Sequence, residues 1–485
     1  MKKAIALLVL IGLCLFSYVR AAAPDQDPYL VTDYSRLHPV KVERVVSGKE
    51  EAQLVELINE ANERGLTVSI AGQRHSQGGH TYYKDGIVVD MTSFNRILSI
   101  DAERRTVTAQ AGATWEDIQN AVNPLGLSVK TMQSQNTFTI GGSISVNAHG
   151  RDTRNGSMIG SVESFRLLLA DGTIMPVSRT ENAELFPLAL GGYGLFGIIL
   201  DVTLSLTEDE VYETETVTMK TEEYAAYFRQ EVLASPDVRM HIARISVAPD
   251  GGMGDMFAKS YKLAADEELS DYNRLTKSEP WTTGGKLLFQ LNRKTDFGKS
   301  LLWKLQTAFF TEESGELISR NNAMRAAWKF MSYSEPGSND LLQEYFIPID
   351  QFGSFVKAFD TIVKQRDMNL LNVTVRYVKH DEEAVLSYAK EDMFALVCLF
   401  HAGLNKQEQA EMRESVQSII DEVIAHEGSY YLPYADYPSV QQFQSVYPRH
   451  EAFFAAKRKY DPQELFGNYF YAKYGAQLDE EGEQS

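Results

Sequence analysis

Three glycine-rich segments fall within one stretch of alternating strand and helix patterns, and few folds have use for all three. The first, Ala71-Gly72-Gln73-Arg74-His75-Ser76-Gln77-Gly78-Gly79-His80, directly follows a strand-like run at 66–71. The second, 137–152, contains Gly141-Gly142, several small residues and the turn His149-Gly150. The third, 190–199, carries Gly191, Gly192, Gly194 and Gly197 and leads into another strand. Glycine permits positive φ and close backbone approach, so a loop of this kind after a strand can close its N–H groups on a phosphate. Taken singly each is a turn, but three in one domain read as walls of one extended ligand site. The first segment matches neither the P-loop nor the G-x-G-x-x-G fingerprint, so a P-loop or Rossmann site is not supported there.

The surrounding pattern is mixed. Residues 50–64 carry apolar side chains at helical spacing and stop at Gly65, while strands are predicted at 86–91, 97–100, 106–110, 164–170 and 198–206. This predicts an α+β domain with more than one sheet layer. From about residue 210, longer strands at 371–378 and 394–400 alternate with amphipathic helices such as 406–426, and 443–474 reads as helical and then aromatic-rich. The chain of 485 residues is long enough for two or three such units.

Charge narrows the partners. A net charge of −19 repels nucleic-acid phosphates, and basic runs such as Lys457-Arg458-Lys459 are too short to reverse that, so no nucleic-acid partner is expected. The amino terminus sets a basic pair, Lys2-Lys3, before an apolar run at 4–19 and then Arg20-Ala21-Ala22-Ala23, the pattern of a secretory signal at 1–23. A permanent anchor is the competing reading, but a span needs about twenty apolar residues and Arg20 interrupts this one. Either reading exports the rest of the chain to the periplasm or another extracytoplasmic space. The only cysteines are Cys14, within the signal, and Cys398, in an apolar strand, so no internal disulfide is expected after cleavage. No metal site is expected.

The order of GQRHS at 72–76, GATWEDI at 112–118, TIGGSISVNAHG at 139–150, LLADG at 168–172 and LGGYGLFGIIL at 190–200 resembles the PCMH-type FAD-binding domain of the vanillyl-alcohol-oxidase superfamily. The resemblance implies a two-subdomain FAD domain at 36–208 and a substrate (cap) domain at 209–440, an antiparallel sheet flanked by helices. It further implies a segment at 441–476 returning to the FAD domain; the acidic composition of 477–485 reads as a disordered tail. The implied cofactor is FAD. Its contacts would come from Ala71, Gly72, Gln73, Arg74, Ser76, Gln77 and Gly79 in the first loop, and from Thr139, Gly141, Gly142, Ser145, Asn147 and His149 in the second. Gly197 and Ile198 would add to them from the third, and Asn468 from near the carboxyl terminus, where a plain turn asparagine is the alternative. His75, within the pattern G-x-x-H-S, stands where relatives often bond the flavin 8α-methyl, which implies covalent FAD; the other reading is a loop histidine beside non-covalent FAD, and His80 is the local competitor.

Further along, 372–378 (NVTVRYV) with Leu386-Ser387 resembles the substrate strand of aldonolactone and alditol oxidases. HGRD at 149–152, EYFIP at 344–348, Tyr447-Pro448-Arg449 and KYDP at 459–462 resemble decaprenylphosphoryl-ribose oxidases. The polyol oxidases carry a glutamate two positions before the strand arginine, where this chain has Thr374. By alternation Arg376 shares a face with Thr374 and Val378, and its guanidinium there needs either a structural carboxylate or the charge that develops on flavin or substrate. Glu344 is the candidate for the missing carboxylate, with an exposed structural ion pair as the alternative. His149 is read as a substrate or flavin contact or as a turn cap, and Tyr434 as a hydrogen-bonding group or base or as packing with Tyr430 and Tyr431. The expected activity is oxidation of a CH–OH carbon of a sugar, polyol, lactone or sugar-lipid-like substrate by hydride transfer to flavin N5, with electrons passing to O2 or to a membrane quinone or cytochrome. The rivals are an enolpyruvyl-sugar-reductase-like enzyme and an exported flavin- or sugar-binding protein without turnover.

Overall fold

The computed structural model describes residues 9, 11, 12, 30–276, 282–325, 329–333 and 335–476. The signal reading, apart from those three positions, and the acidic tail lie outside the described residues. Among the described residues no helix is long and apolar enough to cross a membrane.

The class is α+β, in three main sheets. The first is parallel: β1 (Arg44–Ser47), β2 (Val68–Ala71) and β3 (Ile87–Asp90), with β3 central. Between β1 and β2 runs α1 (Glu51–Arg64), whose Leu54, Leu57, Ile58 and Ala61 repeat at helical spacing and bury one face on this sheet. A Glu50/Gln53 capping box opens the helix, and Gly65, at φ 63°, closes it. A distant segment completes the layer, for Val68 N donates to Leu465 O at 2.7 Å and Gly467 N to Val68 O at 3.1 Å.

The second sheet is antiparallel and comprises β4 (Ile97–Asp101), β5 (Thr106–Gln110), β6 (Leu127–Val129), β7 (Val162–Leu168), β8 (Ile174–Ser178) and β9 (Ile198–Glu208). Its order is β8-β7-β9-β5-β4, with β6 pairing the far end of β9. The strand expected at 164–170 lies two residues earlier, because Leu169 N already donates to Thr173 O and turns the chain into β8.

The third sheet contains β10 (Val211–Lys220), β11 (Val238–Ile245), β12 (Asp255–Leu263), β13 (Leu317–Ser319), β14 (Ser338–Pro348), β15 (Leu370–Val378), β16 (Met393–Gly403) and β17 (Ser429–Tyr430). All pairs are antiparallel, in the order β13-β10-β12-β11-β15-β16-β14-β17. Strand alternation divides its faces. Tyr345 on β14 and Phe400 on β16 pack against α2 (Phe352–Gln365) through Phe355 and Phe359, and α3 (Lys406–Ala425) lies beside α2. The opposite face of the central strands turns toward the glycine segments.

Candidate functional site

A cavity of about 280 Å³ lies between the first glycine loop and that free sheet face, and it continues into an arm of about 70 Å³. Gly72, Ser76, Thr81, Thr139, Gly142 and Val146 line both parts, so they form one elongated space. The arm is walled by all three glycine segments, through Ala71, Gly141, Ser145, Gly194 and Gly197 among others. A Cβ on Gly72 would sit 2.3 Å from Thr139 Oγ1, so only glycine lets the first loop close on the second.

Leaving β2, the first loop carries Arg74 in the left-handed region at φ 55°. The backbone N–H groups of Gln73, Arg74, His75 and Ser76 meet no protein acceptor among the described residues, whereas Gln77 N is already spent on Pro433 O at 2.7 Å. Consecutive free donors around a left-handed residue make an anion-binding concavity. His75 lies between Tyr34, stacked at 4.9 Å, and Phe138 at 4.4 Å. Burial there pulls its pKa down to about 4, so the imidazole is neutral at physiological pH.

Five residues expected at the flavin do not line this space. Gln77 accepts from Leu342 N through Oε1, and Gly79 N donates to Asp33 Oδ2. Asn147, at φ 45°, donates to Asp381 and accepts from Ile159 N, while Ile198 packs in the core beside β2 and Ile199 lines the arm in its place. Asn468 spends its amide on His80 O at 3.0 Å and Tyr193 O at 2.9 Å, and its carbonyl caps the last helix. Its role is to clip the first loop to the third glycine segment.

The sheet face supplies the other wall. Register places Arg244, Thr374, Val397 and Glu344 in one row across β11, β15, β16 and β14, and all four face the cavity. Glu344 therefore lies in the same row as Thr374, two strands away, and supplies a carboxylate that β15 itself lacks. Glu344 and His149 are 3% and 4% exposed, and Glu344 Oε1 lies 2.6 Å from His149 Nε2, so the reading of Glu344 as an exposed ion pair is corrected. Tyr434 also donates to Glu344, and burial together with that carboxylate raises its phenol well above the ordinary range. A phenol held protonated in this way faces Glu344 as a donor. On the adjacent row, Arg376 donates through Nη2 to Ser134 Oγ at 2.8 Å, and its Nε has no partner among the described residues. Burial lowers its pKa, with Glu344 opposing the shift.

Two cavity cations were not expected as site residues. Arg244, on β11, has Asn372 Oδ1 as its partner at 2.9 Å, and Arg151 donates to Ala323 O at 2.9 Å. A charged residue at an alternating strand position, the signal that picked out Arg376, was present at Arg244 too.

Comparison with known proteins agrees with this construction. Residues 42–178 match the family described as FAD binding domain. The chain is 32% identical over 186 residues to mitochondrial L-galactono-1,4-lactone dehydrogenase of Arabidopsis thaliana, covering 38% of this chain and 30% of that protein. It is 33% identical over 172 residues to decaprenylphosphoryl-beta-D-ribose oxidase of Mycolicibacterium smegmatis, covering 35% and 37% respectively. Against L-gulonolactone oxidase of Mus musculus it is 30% identical over 149 residues, covering 31% and 34%. The chain thus spans about a third of the length of each relative.

Proposed function

With an FAD binding domain at 42–178 as the premise, we propose that the protein is an FAD-dependent oxidoreductase that oxidises a CH–OH carbon of a sugar, polyol, lactone or sugar-lipid-like substrate. The residues present fit the dinucleotide. Four free backbone donors in the first loop suit its diphosphate, the glycine-walled arm admits close backbone contact, and the buried Thr81 hydroxyl awaits a partner. When bound, the flavin supplies a two-electron acceptor for a hydride from the substrate carbon.

The observation that carries the reading is the buried Glu344–His149 pair on a cavity wall that also holds Arg376. Glu344 takes the hydroxyl proton, while His149 and Tyr434 fix its carboxylate so that one geometry is presented to substrate. Arg376, held by Ser134, keeps its remaining donors for the oxygen on which charge develops. The aromatic walls from Phe138 and Tyr431 exclude water. His75 is proposed as the attachment point for covalent FAD, because a neutral imidazole nitrogen is the form able to bond the flavin 8α carbon. The amino-terminal pattern supports export, and O2 or a membrane quinone or cytochrome is proposed as the final acceptor.

The test is anaerobic addition of sugars, alditols and aldonolactones to the purified FAD-loaded protein. Bleaching of flavin absorbance by at least one of them is the expected result. An FAD-loaded protein that none of them bleaches, yet which binds them, would be a binding protein without turnover.

A further inference from the structure

The cavity holds more positive charge than its own carboxylates balance. Arg151, Arg244 and Arg376 all line it. Their protein partners are neutral oxygens: Ala323 O for Arg151, Asn372 Oδ1 for Arg244 and Ser134 Oγ for Arg376. Asp340, also on the wall, is committed to Arg293 at 2.5 Å and to His401 at 2.8 Å. Glu344 is held by His149 and Tyr434. A half-buried guanidinium facing a cavity without a counter-ion is unfavourable, and neighbours of the same sign add to that cost.

The fold keeps two of these cations together. The segment carrying Arg151 runs along β11, with His241 N donating to Arg151 O at 2.9 Å and Asp152 bridged to Met240, and Arg244 follows on the same strand. Burial first, then Arg151 and Arg376, pull the Arg244 pKa down to about 10, so it stays charged at neutral pH. Along the row Arg244–Thr374–Val397–Glu344, the cation and the carboxylate stand three inter-strand steps apart, about 14 Å between backbones. The cavity therefore has a carboxylate end and a cationic end.

We infer that Arg151 and Arg244 form an oxyanion subsite that binds a phosphate or carboxylate group carried by the substrate, at the opposite end of the cavity from the carbon presented to Glu344. This rests on the proposed reading of the cavity as a site of CH–OH oxidation and deepens it by assigning charge to the substrate. A planar guanidinium offers paired donors to either oxyanion, and exclusion of water strengthens the contact. Two ends of opposite character also fix direction, since a substrate entering reversed would set its anion against Glu344.

The experiment is calorimetric titration of the FAD-loaded protein with glucose, glucose 6-phosphate, gluconate and inorganic phosphate, repeated on Arg244→Gln and Arg151→Gln. The expected result is at least tenfold tighter binding of glucose 6-phosphate or gluconate than of glucose, and which of the two prevails identifies phosphate or carboxylate as the natural group. Each variant should lose at least tenfold of that preference while retaining FAD content per chain. Equal binding of the neutral and anionic sugars would overturn the subsite, as would loss of FAD with unchanged anion preference, which would assign these arginines to the cofactor. Heat of binding does not depend on turnover, so oxyanion affinity without flavin bleaching would sink the oxidoreductase reading and leave the subsite standing. Should one variant fail to fold, the other carries the test.

Discussion

Glu344 Oε1 lies 2.6 Å from His149 Nε2, although the two side chains come from different walls of the cavity, one from the penultimate strand of an antiparallel sheet and the other from the turn that ends the second glycine segment. Neither residue could hold this geometry alone. The pair exists only when the two walls are seated together, so the proposed proton transfer there depends on correct assembly of the cavity.

Replacing Glu344 with Gln should keep the volume and the contact to His149 while removing the proton acceptor. Stopped-flow flavin reduction by a turnover substrate is expected to slow by roughly 100-fold or more, the usual range for loss of a positioned base. FAD content should remain near that of the parent. A reduction rate within a few-fold of the parent would move the base elsewhere.

His75→Ala should abolish covalent flavin while leaving a folded protein that binds some FAD, since the free donors of the first loop are backbone groups. Acid precipitation followed by a spectrum of the pellet reads this directly. A yellow pellet from the parent and a colourless one from the variant is the expected pair of results.

Arg376→Lys should lower the rate of flavin reduction per bound FAD by on the order of 10- to 100-fold, because an ammonium cannot both hold Ser134 and present a second donor in the same plane. A purely structural arginine would instead show a lower melting temperature with an unchanged rate per folded molecule. Measuring both quantities on one preparation separates the two.

Asp209 gives a pH prediction away from the cavity. Burial raises its pKa from 3.8 to about 6, against hydrogen bonds from Asn321 and the charge of Arg320. A carboxyl with a raised folded pKa favours the native state when protonated, so its contribution is full below about pH 4 and is lost as pH climbs through 6. Asp209→Asn should therefore stabilise the protein at pH 7 by up to about 2 kcal/mol, and the gain should vanish near pH 4. Denaturant melts at the two pH values check the sign, and a variant less stable at pH 7 than at pH 4 relative to the parent would contradict it.

What the sequence made legible was local. The 51–64 helix follows from apolar spacing and a glycine stop, and the glycine segments announce a ligand site because their chemistry is backbone chemistry, written in consecutive residues. Arg376 was visible as a charge at an alternating strand position. The rest depends on register between strands far apart in the chain. Nothing near Thr374 indicates that Glu344 shares its row through Val397, or that Arg244 lies on its other side. Tyr434 stayed open between hydrogen-bonding group, base and packing because its local sequence is silent about the carboxylate it faces. Asn468 looked like a flavin contact because it follows a turn near the recognisable carboxyl segment, yet three backbone partners consume its polar atoms.

The strand-like contact of 465–467 with Val68, and the Asn468 clip that follows it, make the glycine-walled half of the molecule discontinuous in the chain. Its first layer is closed by residues far downstream of β2 in the chain. A ribosome-bound chain therefore exposes an unfinished edge of β2 until residues 465–467 have emerged, and so non-local a contact slows that step. Dissection at the end of the 42–178 match would remove the 465–467 contact from the edge of β2, so a fragment cut there is a poor vehicle for cofactor studies, whereas a circular permutant joining the two pieces directly would turn a distant contact into a local one.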